Sequence, residues 1–219
     1  MHKPLEKFYE FLDRPLRLWT RPVLAILVVP LIVSFAHPLW RITLEAPQYP
    51  QGLYMDIYSY QLVGGHGGHD VEEINTLNHY IGMHKIDRTE LNDLDWMPFA
   101  LGLLALLGLR CAAIGTVRSL IDLVVVTTYV SLFGMGRFIY KLYTYGHNLD
   151  PTAPIKVDPF TPAIFGAKKI ANFTTHSFPA AGTVLVGIFA TGIAVLMVYH
   201  LVAGRRAASR AERTLAVAA

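Results

Sequence analysis

Four long runs of apolar residues divide the chain into predicted spans and connecting segments. They cover residues 22–40, 97–117, 120–143 and 180–202. Each run is close to the roughly 20 helical residues that a hydrocarbon core of about 30 Å requires. Because backbone polar groups must be satisfied internally in lipid, such runs predict transmembrane helices. We therefore expect a mainly α-helical integral membrane protein built on a four-helix transmembrane bundle.

The distribution of basic residues predicts the orientation of these spans. The amphipathic segment 1–21, the turn between the second and third spans and the tail 203–219 all carry Lys or Arg. The segment 41–96 instead has three basic residues against nine acidic ones. By the positive-inside rule, both termini are expected in the cytoplasm, and 41–96 and 144–179 are expected on the outer side.

The first outer segment has the pattern of a small folded subdomain containing β-structure. Residues 41–45 alternate between polar and apolar side chains, and 53–63 alternate again with many β-favouring residues, so two strands are predicted. The glycine-rich stretch 64–69 is expected to be a flexible turn, and Asp70 is expected to cap a short helix over 71–78. A subdomain of this size is expected to rely on the membrane helices or on a partner for stability.

The second outer segment, 144–179, is rich in proline and shows no hydrophobic periodicity. Its prolines are interspersed with apolar side chains, whereas flexible linkers are dominated by Gly and Ser. We therefore predict a Pro-rich outer strap that packs against another surface.

Histidine placement suggests a metal site on the outer side. Only His2 and His200 of nine histidines lie towards the predicted cytoplasmic side. Imidazole is the commonest metal ligand, and a thioether adds a preference for copper(I). His79 and Met83 would share one face if the chain is helical between them. The candidate metal ligands are His79, Met83, His84, His147 and His176. In the alternative interpretation these histidines are ordinary loop residues that cap helix ends or bond nearby carbonyls.

Composition supports membrane insertion and excludes several function classes. The chain is 53% hydrophobic and 16% charged, and Cys111 is its only cysteine, so neither disorder nor a disulfide framework is expected. The net charge of +3 comes from residues beside the spans, so nucleic acid is not an expected partner. No phosphate loop, nucleophile elbow or HExxH motif occurs. We expect no catalytic activity of the chain itself, although membership of an enzyme complex is compatible with this composition.

Three strings resemble a known group of proteins. They are EAPQYPQGL at 45–53, LNHYIGM at 77–83 and GHNLDPTAPI at 146–155, followed by KKIANF at 168–173. These strings resemble a group of bacterial four-span membrane proteins encoded near copper-dependent respiratory enzymes such as nitrous oxide reductase. The resemblance implies a location in the bacterial inner membrane, with both outer segments in the periplasm, and a role linked to copper or to a respiratory complex.

Two hypotheses about function follow. In the first, the chain is a non-catalytic accessory subunit of a bacterial membrane complex, respiratory or copper-dependent, that docks on other membrane or periplasmic subunits through its periplasmic segments. In the second, it is a periplasm-facing copper-binding and delivery protein for a respiratory copper enzyme, with copper held by the candidate ligands. A third class, an enzyme acting on lipid or quinone, has no nucleophile or acid–base pair in the sequence to support it.

Overall fold

Two compact units make up the protein in a computed structural model that describes residues 3–170 and 172–218. The helical unit combines the chain up to residue 32, residues 102–129 and the chain from residue 187. The sheet unit combines residues 33–101 and 130–186. The side chains of six basic residues counted in the orientation prediction lie outside the described part of the structure, namely Lys3, Lys7, Arg205, Arg206, Arg210 and Arg213.

The described residues form six α-helices. They are α1 (Lys3–Leu12), α2 (Thr20–Val33), α3 (Asp70–Tyr80), α4 (Asp93–Ile114), α5 (Val117–His147) and α6 (Ala181–Ala218). Helices α4, α5 and the first part of α6, Ala181–Gly204, are long and apolar enough to span a membrane. These three helices confirm that the chain is mainly helical, with long apolar helices where the spans 97–117, 120–143 and 180–202 were predicted.

The predicted span at 22–40 is shorter in the structure. Helix α2 has 14 residues and continues only through the 3₁₀ turn Ser34–Ala36. At 1.5 Å per residue, Thr20–Ala36 is about 25 Å long, below the thickness of the hydrocarbon core. The chain leaves the helix at His37, which is extended (φ −125°, ψ 146°) because the residue before a proline disfavours helix. The structure therefore shows three long apolar helices, and the four-span bundle is not confirmed.

The helical unit buries one side of each long helix and exposes apolar side chains on the other. Close packing relies in part on glycine, because a Cβ on Gly108 of α4 would lie 2.7 Å from Val28 of α2. On the same helix Leu104 is 1% exposed while Leu106 is 66% exposed. Apolar surface of this kind is typical of contact with lipid.

The sheet unit contains one five-stranded antiparallel sheet in the order β3-β2-β1-β5-β4. Its strands are β1 (Trp40–Ala46), β2 (Tyr49–Ile57), β3 (Leu62–Gly64), β4 (Gly166–Ile170) and β5 (Phe173–Pro179). The central strand β1 pairs with β2, its neighbour in sequence, and with β5 from far along the chain. The two predicted outer segments therefore belong to the same sheet.

The strap predicted over 144–179 is partly a β-hairpin. Strands β4 and β5 occupy its last third, and residues 148–165 lack regular structure. The hydrophobic pattern does not predict strand β5, because its polar residues Thr175 and Ser177 face the core while the apolar Phe178 is exposed on the other side. The predicted second strand, 53–63, is likewise interrupted after Ile57 by a turn that leads into β3.

The core of the sheet unit lies between one sheet face, α3 and the nearby helix ends. The Trp40 ring is tilted against that of Phe138 of α5, with centroids 5.0 Å apart, and its indole N–H donates to Ser177 Oγ at 2.7 Å, which satisfies the buried donor. The buried cluster comprises Trp40, Ile42, Leu44, Ala46, Leu53, Met55, Ile74, Ile81, Ile170 and Phe173.

Candidate functional site

The second face of the sheet, here called the open face, carries polar side chains. In β1 the even-numbered residues are buried, whereas Arg41, Thr43 and Glu45 point to the opposite side. The strand registers extend this assignment across the sheet. The open face has three rows: Val63, Asp56, Arg41 and Phe178; then Tyr54, Thr43, His176 and Ala167; then Glu45, Thr174 and Lys169.

A bidentate ion pair fixes the first row. Arg41 donates from Nε and Nη2 to the two carboxylate oxygens of Asp56, and both hydrogen bonds are 2.6 Å long. Its guanidinium also lies 4.9 Å from the centroid of the Tyr54 ring. The hydrogen bonds to Asp56, and its charge, raise the pKa of Arg41 above the usual value although burial opposes this shift. The three side chains therefore form a preorganised polar surface.

The middle row combines one imidazole with small side chains. His176 pairs across the sheet with Thr43 on one side and Ala167 on the other. Its Nε2 is buried, has no hydrogen-bond partner within the described residues, and lies 3.6 Å from Glu45 Oε1. This distance is too long for a hydrogen bond, and the contact becomes an ion pair only when the ring is protonated.

Two exposed aromatic side chains border the open face near the start of α6. Phe178 and Phe165 meet edge to face with ring centroids 5.3 Å apart. Aromatic residues beside the end of a span are typical of the membrane interface. This aromatic pair is therefore compatible with contact with lipid headgroups.

The stretch 64–69, predicted to be a flexible turn, is held by a buried carboxylate. Asp70 is 2% exposed, accepts the Tyr54 backbone N–H at 2.9 Å and lies 2.8 Å from His66 Nδ1. A Cβ on Gly65 would overlap both the Asp70 carboxylate and the Tyr54 ring. Glycine at this position thus permits the close approach, and the stretch is anchored at the edge of the sheet.

Two exposed carboxylates stabilise loop turns in the sheet unit. Asp87 accepts from the Thr89 hydroxyl at 2.7 Å, and Asp150 accepts from the Thr152 hydroxyl at 2.6 Å. Both carboxyls have a pKa below the usual value, with these hydroxyl bonds as the largest cause and backbone N–H bonds as the second. Asp150 also donates its backbone N–H to Gly82 O, which ties this loop to the end of α3.

The structure does not place His79 and Met83 on one helix face. Helix α3 ends before Gly82, whose φ of 79° is a left-handed value typical of a helix C-terminus. His79 is exposed on the helix, whereas Met83 packs against the hydrophobic core. His84 is exposed, with its ring 6.4 Å from that of Tyr145.

The remaining candidate ligands have separate contacts. The His147 ring stacks on Tyr143 at 3.8 Å, and its Nδ1 donates to the Tyr143 carbonyl at 2.9 Å. His176 lies on the open face, whereas Met83 lies on the core side of the sheet, because successive strand residues alternate between faces. In the part of the chain that the structure describes, no three His, Cys, Asp or Glu side chains are grouped to hold a metal ion. A copper site built from all five candidates does not fit this structure.

Comparisons with known proteins leave the function to be inferred from the residues themselves, because no protein-family model, curated protein or solved structure matches the chain. The resemblance to bacterial four-span proteins therefore stays a prediction.

The sequence analysis did not identify Arg41, Thr43 and Asp56 as candidate functional residues. The alternation in β1 was a sufficient signal for the first two, whereas the pairing with β5 had no local signal.

Proposed function

We propose that the protein is a non-catalytic accessory subunit of a bacterial membrane complex, respiratory or copper-dependent, which binds another subunit through the open face of its sheet. The open face itself carries this proposal. Its side chains are exposed or half-exposed apart from Asp56, while the opposite face of the same sheet is packed into a core. A membrane anchor alone does not require a folded sheet with an exposed polar face, so this surface supports a role in binding.

Membrane attachment is the simpler half of the proposal. Three helices have the length and apolar composition of spans, and their exposed side chains are large and apolar. In the topology we propose, α2 completes a four-helix arrangement, both termini are cytoplasmic and the sheet unit lies in the periplasm of the inner membrane. The sheet unit would then meet partners that are themselves membrane or periplasmic subunits.

Preorganisation makes the open face suited to protein binding. Arg41 is held by Asp56 and lies over Tyr54, so little side-chain entropy is lost when a partner binds these groups. Tyr and Arg are also among the residues enriched at interfaces. Thr43, at the centre of the face, is small and half-exposed, so a partner can approach the sheet closely there.

The copper-delivery alternative rests on the resemblance, since the candidate ligands lie apart. Its test is the metal content of the purified protein after copper(I) loading. Stoichiometric copper that is lost on combined substitution of His79 and Met83 by alanine would support delivery. Copper at background level would leave only the accessory role.

A matched pair of threonine substitutions tests docking. Thr43→Arg places a long cation at the centre of the open face, whereas Thr76→Arg places the same side chain on an exposed position of α3. Each variant is extracted from its native membrane in mild detergent and its assembly size is measured by native electrophoresis. We expect the wild type and Thr76→Arg in the same larger assembly, and Thr43→Arg released as a smaller species. An unassembled wild type, or equal behaviour of the two variants, would contradict docking through this face.

A further inference from the structure

Two adjoining cavities lie behind the sheet, on the side opposite the open face. Their volumes are about 100 Å³ and 60 Å³. Both are walled by Ile42, Met55, Ile86, Leu142 and Tyr145, so they are neighbours within the sheet unit. Together they reach about the 150 Å³ of a cavity that holds one benzene ring.

The first cavity is apolar, and the charged residues in its walls already have partners. Its walls include Met97 of α4 and Gly134 of α5, both within helices long and apolar enough to span a membrane. Of the charged residues, Asp93 accepts from Arg137 Nε at 2.8 Å, and Lys141 lies 3.7 Å from Glu90. A molecule in this cavity would contact hydrocarbon walls and charged side chains that are already paired. This environment favours a neutral, lipid-soluble occupant.

The second cavity contains an unpartnered donor. Asn78 lines it and is 4% exposed, yet its Nδ2 has no hydrogen-bond partner within residues 3–170 and 172–218. A buried donor of this kind is unfavourable unless something accepts from it. Asn78 lies on the apolar stripe of α3, four residues after Ile74, where a leucine would fill the space without a polar group. The position thus combines a hydrophobic site with one donor that is suited to a ligand oxygen.

We infer that the two cavities form one binding site for a neutral lipid-soluble molecule that carries a carbonyl oxygen on an apolar body. The carbonyl accepts from Asn78 in the second cavity, and the apolar body occupies the first. Quinones and uncharged acyl esters share this chemistry, and both reach the protein from the bilayer. The site is separate from the docking role, because its walls face the core and not the open face.

A matched pair of glycine substitutions tests the first cavity. Gly134 lines this cavity, so we expect Gly134→Leu to fill it, and the new Cβ is tolerated because within 4 Å it would meet only Trp96, at 3.8 Å. Gly136→Leu on the same helix is the control, because a Cβ there meets nothing within 4 Å. The full chain in phosphatidylcholine nanodiscs is titrated with a decyl-tailed benzoquinone and, separately, with a monoacylglycerol. Occupancy is measured by native mass spectrometry.

We expect one molecule of at least one probe per wild-type chain, at least tenfold weaker binding to Gly134→Leu, and unchanged binding to Gly136→Leu. Saturable binding of the quinone alone identifies a quinone site, and binding of the ester alone identifies an acyl-lipid site. Failure of both probes to bind saturably, or an equal effect of the two leucines, overturns the inference. Thr43→Arg, the docking variant, should bind the quinone or ester probe as the wild type does. Failure of docking and failure of this site are therefore distinguishable.

Substitution of Asn78 separates ligand binding from a purely structural role. Asn78→Leu removes the donor and keeps a similar side-chain volume. We expect about three- to tenfold weaker binding of the probe, which corresponds to the loss of one hydrogen bond. The melting temperature of the ligand-free protein should rise, because an unsatisfied buried donor is removed. A structural asparagine would show the opposite, with a lower melting temperature and an unchanged dissociation constant, and that result would overturn the assignment.

Discussion

The helical unit and the sheet unit place their apolar residues by opposite rules. In the helical unit, Leu104 is buried and Leu106, two residues away, is largely exposed, yet both are leucine. In β1, by contrast, Ile42 is buried and its exposed neighbours are Arg41 and Thr43. The first pattern suits a unit with lipid as its solvent, and the second suits a unit with water on one side.

This difference decides where side-chain identity carries information. Helices in lipid have no hydrophobic driving force between them and associate through close packing, as at Gly108 and Val28. Their outer residues need only be apolar. In the sheet unit, burial from water stabilises the core, and the exposed side chains are free to be specific. We therefore expect the same substitution to have different consequences in the two units.

Matched leucine truncations should show the largest effect. Leu44→Ala in β1 removes buried hydrocarbon from the sheet core and is expected to destabilise the sheet unit by about 2–5 kcal/mol. Leu106→Ala, exposed on α4, should stay within about 0.5 kcal/mol, because its side chain fills no core space. Chemical unfolding in detergent, followed by near-ultraviolet circular dichroism, gives both values. Comparable losses in the two variants would remove the distinction between the units.

Breaking the ion pair on the open face should have the next largest effect. Arg41→Met leaves the nearly buried Asp56 carboxylate without its cation, and we expect a loss of about 1–2 kcal/mol. The value stays moderate because Arg41 is half exposed and solvent screens the pair. Lys169→Met, exposed on the same face, serves as the control and should be nearly neutral in the same unfolding measurement. A neutral Arg41→Met would mean that the pair does not stabilise the fold.

Local patterns predicted the elements with regular hydrophobic periods. Three apolar runs predicted long helices that the structure contains, and alternation predicted β1 and the main part of β2. Helix α3 also lies where a short helix was predicted, but Asp70 is its first residue and does not cap it, because its carboxylate accepts the Tyr54 N–H and lies beside His66. In each case the signal lies within the element itself, so no knowledge of distant contacts was needed.

The elements that sequence missed depend on contacts across the chain. Strand β5 carries Thr175 and Ser177 on its core side, where Ser177 satisfies the Trp40 indole, and this need is invisible without the pairing of β1 and β5. The predicted sharing of a helix face by His79 and Met83 failed for a local reason, since Gly82 ends the helix between them. The open face and the Asn78 cavity likewise exist only after both outer segments pair.

A buried polar pair in the helical unit should contribute less than the Arg41 pair. Thr20 and His200, both buried, are 3.0 Å apart between Oγ1 and Nε2. Thr20→Val keeps the side-chain shape and removes this bond, and we expect a loss of about 0.6 kcal/mol, the average for such bonds between membrane helices. Thr128→Val is a control on α5, because its hydroxyl bonds only the Val124 carbonyl of the same helix. Thermal unfolding in detergent compares the two, and a loss for Thr20→Val above that of Arg41→Met would reverse the expected ranking.

The smallest effect concerns the acid sensitivity of the loops in the sheet unit. The Thr152 hydroxyl is the main cause that lowers the pKa of Asp150 below its usual value of 3.8. A carboxyl with a lowered pKa stabilises its turn above pH 3.8, and this contribution is lost as the pH falls through the folded value. Thr152→Val should therefore raise the pKa of Asp150 towards 3.8, as followed by carboxyl carbon NMR, while leaving the pKa of Asp87, bonded to Thr89, unchanged. An unshifted Asp150 would show that backbone N–H bonds alone hold its charge, and a parallel shift of Asp87 would show that the two turns respond as one unit.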